Sequence, residues 1–515
     1  MIRPLLISTL LATRLMAADT AVEEAADLLR FTNGNQIDGE FAGMDQSGVV
    51  TWHRSDVATP MPFKREKIRQ IVLRNARPLS AMDSPCHVTL VNGDRIPGNV
   101  VAADDKSITL ETTLAGPLIL PREVVAAVSP NPFGGRLIYA GPFDQTGWQQ
   151  VQSDGKMGIL DEMGLSLPGT APEEDSETPK PSWHHSGASW FSSGGNDAII
   201  LDAKMPDRAL LRFKLGWRSR PNIAVAFHCD FTRPEPKEQD EKEDDAPARP
   251  NFGGLQNLAN LFGTAYVINF QAGYIHLQRT GFDDDGNPEV ERIRVGNSSI
   301  RLPDTGEAVF EIRCNRQEGN ISVYIDDEFA VQWNTSDELE REVWKNQPRN
   351  VNYQAPGGGL GFQVQGNSAS VRISDLVVAE WNGMTDSARS MESDHRDIVL
   401  LANGTDRFSG EVLAIRDGQV EIDASYGPLK IPLEDIAEIH FARDKRRKAD
   451  EPLASEITVI LQPVGRISGV PLASDAHRMQ IDSPLAGKID LDLAPAVVLE
   501  FQSGGGFLDD WDDAP

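Results

Sequence analysis

The chain is poor in the residues that most often carry chemistry. It has three cysteines and nine histidines in 515 residues. Three cysteines leave at least one thiol unpaired, which excludes a disulfide framework. Cys86, Cys229 and Cys314 stand in "SPCHVTL", "AFHCDF" and "EIRCNR", strand-like text that implies buried, inert thiols. Cations are scarce as well: 49 Lys and Arg face 77 Asp and Glu, for a formal charge of −28 at pH 7. That balance excludes nucleic acid or an anionic membrane as the main partner, because both are held through clustered cations. No segment past the N-terminus approaches the roughly 20 apolar residues of a membrane-spanning helix.

Catalytic signatures are missing too. There is no G-x-S-x-G elbow and no phosphate-binding loop. "GGGLGF" (357–362) lacks the third glycine of a dinucleotide fingerprint and lies between strands. No H-x-x-x-H or C-x-x-C spacing occurs, and the adjacent His184 and His185 would point to opposite faces of a strand. "FDDDGNPE" (282–289) resembles the start of a calcium loop through Asp283 and Asp285, but the bidentate glutamate at its far end is absent. A plain Asp-Gly hairpin is the expected structure there. No cofactor is expected, and calcium is the one ion worth testing.

What the sequence does have is repetition. "NGNQIDG" ending at Gly39, "NGDRIPG" at Gly98, "NGTDRFSG" at Gly410 and "PVGRISG" at Gly469 each precede a strand of period two. Each copy ends on a further strand whose last residue lies 32, 30, 29 or 30 residues after its glycine. Internal repeats at a fixed period mark one supersecondary unit used several times. Asn-Gly supplies the left-handed turn of a hairpin, and the later glycine permits a bulge or sharp bend. A single helical turn is expected in "PREVV" and "PLEDI" before the last strand. The fourth copy lacks Asn-Gly, which puts its first hairpin in question. Units of about 45 residues are marginal alone, so sequence neighbours are expected to pack as two pairs, 28–74 with 85–129 and 396–441 with 455–501. These small units resemble SH3-like or Sm-like β-barrels.

Between the pairs, 134–383 changes to longer two-faced strands. "LLRFKLGW" puts Leu211, Phe213, Leu215 and Trp217 on one face, with Arg212 and Lys214 on the other. Such alternation with Gly, Asn and Asp turns predicts an antiparallel sandwich. The run "ISVYIDDEFAVQW", the break before "LGFQVQG" and the closing "RISDLVVAEW" resemble the concanavalin A-like lectin and glucanase jelly roll, including its laminin-G-like relatives. The fold class expected is therefore all-β: a central jelly-roll sandwich flanked on each side by a pair of small barrels. The whole arrangement resembles uncharacterised secreted proteins of planctomycete and verrucomicrobial bacteria. Residues 232–250 read as a charged, disordered insertion, 443–451 as a loosely held basic linker and 503–515 as an acidic tail.

The first 17 residues have the grammar of a signal peptide, with Arg3, an apolar stretch and a small-residue exit at Ala17-Ala18. Export to the periplasm or the exterior is expected. Glucanases of the resembled superfamily carry paired glutamates on one strand as E-x-D-x-x-E, and this chain has no such string. A non-catalytic binding protein recognising a glycan or an envelope protein is the leading expectation. A scaffold assembled through the barrels and a glycoside-processing enzyme are the alternatives. The ligand candidates are the polar residues opposite the core: Arg212, Lys214, Asn269, Gln363 and Gln365. Trp217 and Trp333 are expected in the core, Trp52 and Trp511 at the surface.

Overall fold

The computed structural model describes residues 26–501 except 34, 74–85, 134, 153–181, 187, 235–256, 284, 294–299, 327, 336–353, 367–369, 382–392 and 404–405. The expected signal peptide, most of the 232–250 insertion, the acidic tail and Trp511 lie outside the described residues.

Copy one is β1 (Asp27–Phe31), β2 (Gln36–Met44), β3 (Val49–His53), β4 (Met61–Lys64) and β5 (Ile68–Val72). It forms a meander closed by β5 pairing back on β1. Copy two is β6 (His87–Leu90), β7 (Arg95–Pro97), β8 (Asn99–Ala103), β9 (Ser107–Thr112), β10 (Gly116–Pro121) and β11 (Val125–Ser129), closed by β11 on β6. Its second strand is divided into β7 and β8 at Gly98, whose φ is +155°.

The central domain follows, as β12 (Leu137–Gly141), β13 (Trp148–Val151), β14 (Trp183–Ser186), β15 (Ser189–Ser192), β16 (Ala198–Leu201), β17 (Arg208–Arg218) and β18 (Asn222–Cys229). After the short helix α1 (Asn257–Phe262) come β19 (Ala265–Gln271), β20 (Ile275–Phe282), β21 (Pro288–Arg292), β22 (Gly306–Asn315), β23 (Asn320–Ile325), β24 (Glu328–Asn334), β25 (Gly359–Val364) and β26 (Ser370–Glu380). They make two antiparallel sheets packed face to face. One runs β14-β15-β26-β17-β22-β23-β24 with β12 also on β26; the other runs β13-β16-β25-β18-β19-β20-β21. Both late strands enter the middle of a sheet, β26 between β15 and β17, β25 between β16 and β18. Leu211, Phe213, Leu215 and Trp217 of β17 share one core with Tyr266, Ile268 and Phe270 of β19, all 0% exposed. The alternation read in the sequence is therefore the alternation of a sandwich. Trp333 is buried as expected. Helix α1 covers part of the outer face of the seven-stranded sheet. Its Leu258, Leu261 and Phe262 pack on Ala224, Ala226, Ala265 and Val267, where small strand residues leave room for a helix.

Copies three and four close the chain. They are β27 (Asp397–Leu401), β28 (Arg407–Arg416), β29 (Gln419–Ala424), β30 (Gly427–Pro432) and β31 (Ile436–His440), then β32 (Ile457–Leu461), β33 (Gly465–Asp475), β34 (Arg478–Ser483), β35 (Gly487–Asp492) and β36 (Ala496–Glu500). The first hairpin of copy four forms despite the missing Asn-Gly, with Leu461 paired to Gly465. The shared glycine has a steric cause in all four. A Cβ there would lie 2.4 Å from His53 O at Gly39, 2.6 Å from Glu111 O at Gly98, 2.3 Å from Asp423 O at Gly410 and 2.8 Å from Asp482 O at Gly469. Two residues further on, every copy shifts register, at Phe41/Gly43, Val100/Ala102, Val412/Ala414 and Pro471/Ala473. A bulge at one fixed place bends the second strand so that so short a sheet can curl on itself. The expected helical turn is present as short 3₁₀ turns at Arg65–Lys67, Arg122–Val124 and Leu433–Asp435. Trp52 is a correction: it is fully buried, because Gly39 opposite leaves the space its indole fills.

The pairing of copies is a second correction. Strand hydrogen bonds join copy one to four and copy two to three, not sequence neighbours. The last strands pair antiparallel with Ile71 opposite Leu499 and Val128 opposite Ile439. The second strands meet with Met44 opposite Ser474 and Ala103 opposite Ile415, in each case five residues past the shared glycine. Equivalent residues facing one another define a local twofold within each pair, the self-complementary arrangement of a C₂ dimer. Arginines at the start of equivalent turns cross both junctions. Arg65 donates to Ser455 O at 3.0 Å, and Arg122 donates to Val412 O at 2.7 Å while pairing with buried Asp397 at 3.3 Å. Asp94, 1% exposed, accepts from Ser468 N and Oγ and so links copy two to four. All four copies share one apolar core. The sandwich is thus inserted between copies two and three, and its own first and last strands, β12 and β26, lie side by side. The basic stretch 443–450 is held rather than loose. Arg443 N bonds Ser393 O, Asp444 N bonds Asp394 O and Arg447 N bonds Glu123 O.

Removing the Arg122 side chain leaves the Asp397 carboxylate buried without its cation. Arg122→Ala is expected to cost about 3 kcal/mol in urea unfolding of the full chain. Arg65→Ala, which frees backbone carbonyls without leaving a charge unpaired, should cost about 1 kcal/mol. Equal losses would show that the charge of Asp397 is not what Arg122 neutralises.

Candidate functional site

The side of the seven-stranded sheet that faces away from the core is apolar under α1 and polar beyond it. Cross-strand register sets one row of residues along that polar part. Gln363 of β25 pairs with Ala224 of β18, Ala224 with Asn269 of β19, and Asn269 with His276 of β20. Ala224 is fully buried among the residues packed under α1, so the two amides flank the edge of the helix's footprint. Phe262 of α1 stacks over Gly361, two residues from Gln363, and makes an apolar shoulder at one end. At the other end Tyr274 is 42% exposed and stacks on His276, with ring centroids 5.5 Å apart and planes at 26°.

The amides are held in defined orientations. Gln363 Nε2 donates to Asn196 O at 2.6 Å, an acceptor that cannot be reversed, so Oε1 is the free end. Asn269 is held by a second side-chain amide, its Nδ2 donating to Gln278 Oε1 at 2.7 Å. Asn269 is 1% exposed and Gln363 3%. Among the described residues neither carbonyl oxygen finds a partner, and neither does His276 Nδ1. Buried polar atoms are nearly always satisfied, and each one left without a partner costs about 1–3 kcal/mol. Three in one row is a concentration that packing alone does not explain. Burial, with the Arg292 cation nearby, pushes the His276 imidazole down to about 4, so it is neutral at ordinary pH. The described residues of the row carry amides, an imidazole and a phenol, and no carboxylate.

Of the five candidates read in the sequence, three belong to this face. Asn269 and Gln363 are brought together, and Gln365 lies one step further along β25's direction, its N–H donating to Asn222 O at 2.9 Å. Arg212 and Lys214 do not join them. They lie on β17 of the opposite sheet, on the side turned toward the barrels. His276, Tyr274 and Gln278 were missed, although "YIHLQ" (274–278) alternates in the way that revealed the others. Asp283 serves its own turn: its carboxylate accepts from Asp285 N at 3.0 Å and Asn287 N at 2.8 Å, and Gly286 has φ +82°. The expected Asp-Gly hairpin joins β20 to β21 there.

No protein-family model matches the chain, and no curated protein matches it. Among solved structures, the laminarinase from Rhodothermus marinus is similar over 48% of this chain and 97% of its own, at 12% identity and a TM-score of 0.25. Carbohydrate binding module CBM66 from Bacillus subtilis is similar over 39% and 92%, at 10% identity and a TM-score of 0.19. Galectin LEC-6 from Caenorhabditis elegans is similar over 34% and 86%, at 10% identity and a TM-score of 0.19. The sandwich described above rests on its own strand order and register, not on these scores.

Removing the Gln363 amide gives up its bond to Asn196 O but also removes the buried Oε1 that lacks a partner among the described residues, and the two effects oppose each other. Gln363→Met, of similar shape, is expected to leave the melting temperature unchanged or raise it by about 2 °C. A fall of more than about 4 °C in a thermal melt would mean that the bond to Asn196 O outweighs the cost of the unpaired oxygen.

Proposed function

We propose that this protein is a non-catalytic glycan-binding protein that works outside the cytoplasm, and that the polar row on the seven-stranded sheet is its recognition face. The observation that carries this reading is the set of buried acceptors, Gln363 Oε1 and Asn269 Oδ1, which lack partners among the described residues. A sugar is dense in hydroxyl donors spaced to satisfy neighbouring acceptors, so it fits what the row lacks. The exposed Tyr274 ring, backed by His276, offers the flat apolar surface that the C–H face of a pyranose covers. Hydrolysis of a glycosidic bond needs two carboxylates flanking it. The described residues of the row supply none, which favours binding over turnover.

The scaffold reading keeps one observation of its own, the fusion of four barrel copies into a single core. It explains how the sandwich is held, and it leaves the buried acceptors without a purpose. The export reading rests on the N-terminal residues, and the calcium reading on Asp283 and Asp285.

The test is binding of neutral oligosaccharides by the full chain, first on an array and then by calorimetric titration, with and without chelator. Asn269→Ala combined with Gln363→Ala should weaken the best ligand by tenfold or more, on the order of two lost hydrogen bonds. Because His276 stays neutral down to about pH 4, affinity should be level from about pH 8 to 5 and fall only as the imidazole gains its proton below that. Binding that survives the double substitution would reject this face. Turnover abolished by one carboxylate substitution would replace binding by catalysis.

A further inference from the structure

The opposite side of the sandwich holds a second concavity. Where copies two, three and four meet the outer face of the eight-stranded sheet, they enclose a cleft of about 350 Å³. Its charged lining comes from four places: Arg95 of copy two, Arg212 and Lys214 of β17, Asp375 of β26, and Glu438 with His440 of copy three.

Three cations and two carboxylates line the cleft, with Glu311 opposite Arg212 in the β17–β22 ladder. Glu438 is engaged by His440, whose Nε2 lies 2.8 Å from Glu438 Oε2. Asp375 reaches Arg95 only at 3.8 Å. Lys214 has a carboxylate of its own, Glu307 at 3.3 Å. Arg212 forms no ion pair among the described residues. Arg95 is disfavoured as a cation by burial, and further by the nearby Arg212 and Arg466, with Asp375 offsetting part of that. The backbone is shaped here too. The β17–β26 ladder shifts register between Arg212 and Lys214, and Asp375 sits in the left-handed region at φ +48°. In a chain of charge −28, a cleft where one guanidinium makes no ion pair among the described residues and a second reaches its carboxylate only at 3.8 Å has room for an added anion.

We propose that this cleft is an oxyanion site, in which Arg95 and Arg212 hold a carboxylate, sulfate or phosphate group of a small ligand, with Lys214 adding charge at its rim. Planar guanidinium groups grip such anions through paired N–H donors, which a point charge cannot reproduce. The site is independent of the glycan face, from which the whole sandwich separates it.

The test is calorimetric titration of the full chain with sodium sulfate, sodium phosphate and sodium glucuronate at constant ionic strength, using sodium chloride as the reference. At least one oxyanion should bind with a heat that chloride does not give, and added chloride should weaken it. Arg95→Gln and Arg212→Gln should each weaken it by about tenfold. Asp375→Asn removes the competing carboxylate, and asparagine tolerates the left-handed backbone. That variant should tighten binding severalfold, a gain that misfolding cannot produce. Sulfate or phosphate above glucuronate would assign the cleft to esters, and the reverse order to carboxylates. Neutral oligosaccharide binding should be unchanged in all three variants, so either site can fail without the other. Heats equal to chloride for all three anions, or titrations unmoved by both Arg212→Gln and Asp375→Asn, would overturn the proposal.

Discussion

Everything in this molecule depends on the antiparallel meeting of equivalent strand edges from copies far apart in the chain. A barrel of some 45 residues buries too little surface to stand alone, and its last and second strands leave backbone groups that need partners. Ile71 against Leu499 and Val128 against Ile439 satisfy those edges with the same edge of another copy. Self-pairing of this kind normally makes a homodimer. Here it is satisfied within one chain, by duplicates nested so that the outermost copies meet each other and the innermost copies meet each other. The register is fixed because the bulge sits at one place in every copy, and a slip by one residue would turn each buried face outward.

Nesting has a consequence for the central domain. Copies two and three lie together, so whatever is inserted between them must begin and end at nearly one point. The sandwich does so, because β12 and β26 are neighbours and Arg136 lies 3.3 Å from Glu380 at their ends. A jelly roll also places its late strands centrally, and that placement builds the candidate face. Gln363 reaches the row only because β25 enters between β16 and β18. The face cannot exist until nearly the whole sandwich has been assembled, and the contacts that make it are long-range in sequence.

The local devices of this fold were legible in the residues, and their assembly was not. The shared glycines announced four copies because a cross-strand carbonyl leaves no room for a Cβ, a constraint that each copy must meet separately. Which copies pair depends on edge surfaces of ordinary composition, so proximity in sequence suggested the wrong partners. Trp52 was misread because its burial is provided by a glycine thirteen residues before it, a complementarity that alternation does not encode. The linker at 443–450 was misread because its composition is that of a loose segment, whereas its backbone is bonded to 393–394 and to Glu123. Alternation put Asn269, Gln363, Arg212 and Lys214 on the strand sides away from the core, but Asn269 and Gln363 are buried there, where exposure was expected. It says only that a residue points away from the core, not on which side of a two-sheet sandwich it emerges.

That distinction matters because the two outer faces are opposites in chemistry. The seven-stranded sheet presents neutral donors and acceptors, two of them buried without partners, beside an exposed aromatic ring. The eight-stranded sheet presents guanidinium and ammonium groups, and it is the face set against the barrels. In an acidic protein this division keeps Arg95, Arg212 and Lys214 where neighbouring carboxylates and the barrel surfaces can screen them, and leaves Arg292, opposite Gln278, as a cation near the neutral row. A charged group beside Asn269 or Gln363 would attract water and fixed counter-charges, and would take up the buried acceptors that lack partners among the described residues. The barrels therefore do more than carry the sandwich. By covering its charged side they leave the polar side as the surface on which recognition is built.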